Sequence, residues 1–88
     1  MAKYMISYDL HEPASHREDV QDAIKSLGSW CKYVSTTYLV NTSLPIREVQ
    51  DICTAPLGGN DRMLIAEITG TVHGQLLDTE FQWIQENI

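Results

Sequence analysis

The run Ile6-Ser7-Tyr8-Asp9-Leu10 sets a carboxylate at the end of an alternating apolar segment. A carboxylate at a strand end can ligate a divalent cation. Two of them meeting across a dimer axis would make an Mg²⁺ site for phosphodiester hydrolysis. The same Asp can instead close a strand-to-helix loop by accepting backbone N–H groups, and the motif taken alone favours that structural role. Asp9 is the one candidate for both catalysis and metal binding.

Other residues able to do chemistry are weaker candidates. His11, Glu12 and His16 join Asp9 to give four N/O donors within eight residues. Their spacing is one residue too long for HExxH, and Pro13 prevents the helix that motif requires. A polar loop is the expected outcome. Gly58-Gly59-Asn60-Asp61 has no following GK[ST] and does not lead into a helix, so it reads as a turn rather than a phosphate loop. Ser7, Ser35, Thr36 and Thr37 have no His and acid in a recognisable nucleophile arrangement. Trp30, Tyr33, Tyr38 and Trp83 could stack on bases, but without neighbouring Lys and Arg they read as core or interface. Arg17, Lys25, Lys32, Arg47 and Arg62 are scattered, as on solvated faces.

The elements that must position these residues follow from periodicity. Lys3 to Leu10 alternates as a strand, with Tyr4, Ile6 and Tyr8 on one face and Met5, Ser7 and Asp9 on the other. His11 to Ser15 is expected to be a loop, and Ser15 with Glu18 forms a capping box. Val20, Ala23, Ile24 and Leu27 then recur at helical spacing, with Gly28 ending the helix. Trp30 to Val34 and Thr37 to Asn41 read as two antiparallel strands around Ser35 and Thr36. Ser43 and Pro45 open a second helix whose stripe is Ile46, Val49, Ile52 and Cys53. Met63 to Thr69 is the fourth strand. A last helix begins near Asp78 and runs to about 87, with Leu77, Phe81, Ile84 and Ile88 as its apolar stripe.

That order predicts an α+β fold, a ferredoxin-like βαββαβ with a four-stranded antiparallel sheet and an extra C-terminal helix. Right-handed crossovers put the first two helices on one face of the sheet. Yet the strands carry apolar side chains on both faces: Leu64, Ala66 and Ile68 alternate with Met63 and Ile65. The second face must be covered by the last helix, a second copy or a partner. A homodimer is the expectation, with Met5, Met63, Ile65, Phe81 and Ile84 as candidate interface residues.

Length and composition bound the rest. Eighty-eight residues make one domain with a small core, a size at which pairing with another copy helps. No secretory signal and no apolar run long enough for a membrane span is present, so the expected location is cytoplasmic. The two cysteines, Cys31 and Cys53, follow no zinc or disulfide spacing and read as small reduced residues, partly buried. Six Lys and Arg against 12 Asp and Glu give a formal charge of −6. That balance predicts weak or absent nucleic-acid affinity.

The opening Tyr4-Met5-Ile6-Ser7-Tyr8-Asp9-Leu10, together with Ser26-Leu27-Gly28, Trp30, Thr37 to Val40 and Asn60-Asp61-Arg62, resembles a known group. These stretches are similar to short bacterial and phage proteins labelled SinR-like, which are related to the small CRISPR-associated adaptation protein. The resemblance covers residues 3 to about 69. It implies a ferredoxin-like homodimer and a metal-dependent nuclease site at which only Asp9 corresponds to the family's acid. The chain departs from the adaptation protein in its acidic balance and in a final helix where that protein has an exchanged strand. The leading expectation is a dimeric interaction or regulatory module, phage- or defence-related, binding a host or nucleic-acid-handling protein. The alternatives are an Mg²⁺-dependent endonuclease using paired Asp9, and a small-molecule or nucleotide sensor.

Overall fold

A computed structural model describes the backbone of all 88 residues and every side chain except those of Pro13, Ala14 and Ser15. In chain order the elements are β1 (Ala2–Asp9), α1 (Pro13–Lys25), β2 (Ser29–Val34), β3 (Thr37–Thr42), α2 (Ile46–Thr54), β4 (Arg62–Glu67) and α3 (Asp78–Asn87). The four strands form one antiparallel sheet in the order β2-β3-β1-β4. This is the ferredoxin-like α+β arrangement with a C-terminal helix added.

Register divides the side chains between two faces, because residues opposite one another across antiparallel strands point the same way. Ile6 lies opposite Tyr38 on β3 and Ile65 on β4, and Tyr4 lies opposite Val40. Tyr4, Ile6 and Tyr8 therefore share a face with Tyr38, Val40, Met63 and Ile65, and α1 and α2 close over it. Val20, Ile24 and Leu27 of α1 and its C-terminal connection, with Val49 and Cys53 of α2, complete this main core. Tyr4 anchors its rim by donating its hydroxyl proton to the Leu44 carbonyl, 3.0 Å away.

Several local expectations are corrected. The loop expected at His11 to Ser15 is shorter, since α1 already includes Pro13 in its first turn, where a missing N–H costs nothing. The helix is broken by non-helical angles at His16 (φ −152°, ψ 27°). The expected Ser15–Glu18 capping box falls on a side chain outside those described. Gly28 does not end α1, which stops at Lys25 with Ser26 still right-handed. It has φ +154°, and a Cβ there would lie 2.5 Å from the Asn41 carbonyl oxygen. Glycine is needed because the α1–β2 connection passes directly over β3. In α2 only Val49 and Cys53 are buried, and Ile46 and Ile52 face outward, so the stripe is narrower than expected. A short helix at the sheet margin has one flank against the strands and the other in water. Burial alone pushes the Cys53 thiol up to about 11.

The second face is where α3 docks, on its own sheet. Ile84 joins Cys31 and Leu39 in a separate cluster, with Met5, Ile68, Val72, Trp83 and Ile88 packed around it. The Trp83 indole N–H donates to Ser29 Oγ at 3.0 Å, and the Asn41 amide donates to the Asn87 carbonyl at 3.2 Å. These bonds fix the rotation of the helix and correct the expected stripe. Leu77 and Phe81 turn outward, while Glu80, Ile84 and Trp83 turn toward the sheet. Among the described residues, no helix is long and apolar enough to cross a membrane.

Candidate functional site

β1 delivers Asp9 to the margin of the sheet that α3 leaves open. The alternation of β1 puts Met5, Ser7 and Asp9 on the second face, and α3 reaches only the Met5 end of that row. Asp9 is exposed and stands opposite Arg62 in the β1–β4 register. With Ser7, Tyr8, Arg62, Met63 and Leu64 it lines an open hollow of about 420 Å³. Ser7 is held in place by the Thr37 hydroxyl, which lies 3.3 Å from its own.

The other three donors near Asp9 gather elsewhere, around a residue that carries no distinctive sequence signal. Asp61, from the α2–β4 turn, accepts the His11 backbone N–H at 2.7 Å and the Gly58 N–H at 2.8 Å. Its Oδ2 also lies 2.6 Å from His16 Nε2. The Gly58 and His11 backbone N–H groups, in that order, hold the Asp61 carboxyl below its ordinary range, and His16 adds to them. This cluster ties the β1–α1 connection to the turn before β4, with His11, Glu12, His16 and residues 58–61 around a shallow hollow of about 160 Å³. Asp61 was legible only as a turn residue, because His16 lies 45 positions away in the chain.

Among the described residues, Asp9 is the one carboxylate that lines its hollow. Mg²⁺ is held by one or two carboxylates together with substrate and water. Among the described residues, no three His, Cys, Asp or Glu side chains come together to hold a metal.

The candidate interface residues separate. Met63 and Ile65 pack against the main core, and Met5 and Ile84 belong to the cluster beneath α3. Phe81 stays 53 % exposed. Leu64, to which the sequence assigned no role, is 64 % exposed on β4 between the Asp9 hollow and a second one. That second hollow, about 230 Å³, separates β4 from Ile46, Gln50 and Thr54 of α2. Trp30 also differs from expectation: Lys25 Nζ stands 4.7 Å from the centre of its ring, so one aromatic does have a cation beside it. No protein-family model matches the chain, and no curated protein matches it.

Proposed function

We propose that the chain is a homodimeric interaction module of the cytoplasm, akin to the SinR-like group its first strand resembles. In this reading it serves a phage or defence function by docking a basic, nucleic-acid-handling protein. The observation that carries the reading is the outer edge of β4. The Ile68 N–H bonds to the Lys3 carbonyl, so by alternation the backbone groups of Met63, Ile65 and Glu67 point away from β1. No other strand pairs with them among the described residues. Between Arg62 and Glu67 the strand is Met-Leu-Ile-Ala, with no Lys, Pro or bulge to discourage pairing.

A two-fold axis suits such an edge, since antiparallel pairing with an identical strand brings the Arg62 end toward the partner's opposite end. Acidic balance supplies the second half of the reading. No Lys or Arg follows Arg62, whereas Glu67, Asp78, Glu80 and Glu86 do. An acidic surface favours a basic partner and speeds its approach.

Light scattering across a concentration series tests the dimer. The expected result is a mass approaching twice that of the chain, reduced to a single chain by Leu64→Lys with the fold retained. Because each copy carries −6, added salt should tighten the pairing. A single-chain mass at every concentration would overturn the reading. The second reading, an Mg²⁺-dependent endonuclease, is favoured by one observation: Asp9 is exposed on the open margin, where a second copy could bring another carboxylate. Metal-dependent cleavage of labelled RNA or DNA by the wild type, lost in Asp9→Ala, would establish it.

A further inference from the structure

We propose that the hollow between the end of β2 and the start of α3 is a binding site for a guanidinium group, the side chain of an arginine offered by a protein partner. The hollow is open, measures about 420 Å³, and is lined by Tyr33, Val34, Gln75, Leu76, Leu77 and Glu80. Glu80 is the unusual member. It is only 7 % exposed, yet among the described residues no cation pairs with it.

Its one hydrogen bond comes from the Leu77 backbone N–H, which donates to Oε1 at 2.9 Å. That contact is half of a capping box at the start of α3, and a carboxylate has about four acceptor positions, so it can take a further donor while keeping the cap. Neither carboxylate oxygen is a buried atom without a partner, so the oxygen that Leu77 does not engage is open to a donor entering the hollow. The first turn of α3 supplies a partial positive charge, which helps hold the group there but donates no further bond. The same charge acts on its surroundings: burial and then Glu80 push the Cys31 thiol up.

The rim selects the cation. Tyr33, Val34 and Leu77 are all substantially exposed, which gives the carboxylate an apolar collar. Tyr33 is held by its hydroxyl, which donates to the Gln75 carbonyl at 3.4 Å. A guanidinium is weakly hydrated, stacks on aromatic faces and presents a fork of N–H donors to a carboxylate, whereas an ammonium is a strongly hydrated point. Among the described residues, no Lys or Arg lines the hollow. The proposal rests on the reading of a basic partner and names the contact through which that partner would be held.

The test is a titration of ¹⁵N-labelled protein with N-acetyl-arginine amide, with N-acetyl-citrulline amide as the uncharged control. Arginine amide should give saturable shifts at the Leu77 and Glu80 amides and lower the pH at which Cys31 titrates; the citrulline compound should do neither. Glu80→Gln keeps an acceptor for the Leu77 N–H, so the fold should persist while affinity falls on the order of ten-fold or more. Tyr33→Ala should weaken binding by a smaller factor without touching the carboxylate. Absence of saturable shifts in the wild type, or equal binding by Glu80→Gln, would overturn the proposal. Light scattering on the same samples separates the two ideas. Binding without dimerisation keeps the pocket and removes the module, and dimerisation without binding does the reverse.

Discussion

Both faces of the sheet carry apolar residues, the α1/α2 face more of them, and the two are closed in different ways. Beneath α1 and α2, Ile6, Val20, Ile24, Val40 and Val49 are fully shielded, and Cys53 with them. On the opposite face a single helix of 10 residues covers β2 and β3 and stops short of β4. The buried set there is three residues, Cys31, Leu39 and Ile84, with the others only partly covered. The difference teaches that one face builds the domain, while the other has surface left for contacts. The two sheet edges repeat the contrast. The β2 edge carries Lys32, a register shift between Lys32 and Val34, and α3 alongside. The β4 edge has none of these devices.

The largest expected effect is on the closed face. Ile6→Ala should cost about 4 kcal/mol in urea denaturation, since its cavity would be surrounded by the main core. That is a large part of the roughly 5–15 kcal/mol that holds a domain folded. A cost as small as that of a surface change would break the comparison. Ile84→Ala should cost less, about 2 kcal/mol, because its half-open cluster can relax or admit water. Hydrogen exchange should show faster exchange confined to α3, and exchange rising equally throughout the sheet would mean that the two faces act as one unit.

Tyr38→Phe sharpens the contrast from the other direction. The Tyr38 hydroxyl is buried without a hydrogen-bond partner among the described residues. Removing it should raise stability by about 1 kcal/mol, as measured by the midpoint of thermal unfolding. The smallest effect concerns acid. Asp61 has its folded-state pKa below the unfolded one, so its contribution is complete above the unfolded value. It is lost as pH falls below about 4, where the unfolded state binds the extra proton first. Asp61→Asn should flatten that part of the stability profile, which comparison of unfolding midpoints with the wild type would reveal.

The elements were legible because each has its own local period. Tyr4, Ile6 and Tyr8 alternate, and Val20, Ile24 and Leu27 return at helical spacing, so the strand and helix could be assigned without knowing what covers them. Asp9 was likewise legible as a carboxylate at a strand end, and the structure leaves it exposed there. The contacts of His16 were not legible. Its partner Asp61 arrives from a turn 45 positions away, and nothing in either segment specifies the other. The rotation of α3 was also hidden. Leu77 and Phe81 fit an apolar stripe as well as Trp83 does, and only the bonds to Ser29 and Asn41 choose between them.

By itself, the sequence determined the order of elements, the antiparallel sheet, the shared face of β1 with its two crossover helices, and an acidic balance. These depend on local periodicity and on counts of charge, which survive without knowledge of distant neighbours. Only the tertiary structure decided that α3 covers the β2–β3 half of the second face, that Glu80 is turned inward, and that Leu64 stands exposed at the β4 margin. Those outcomes depend on which segments distant in the chain meet, and competing apolar surfaces settle that together rather than one residue at a time.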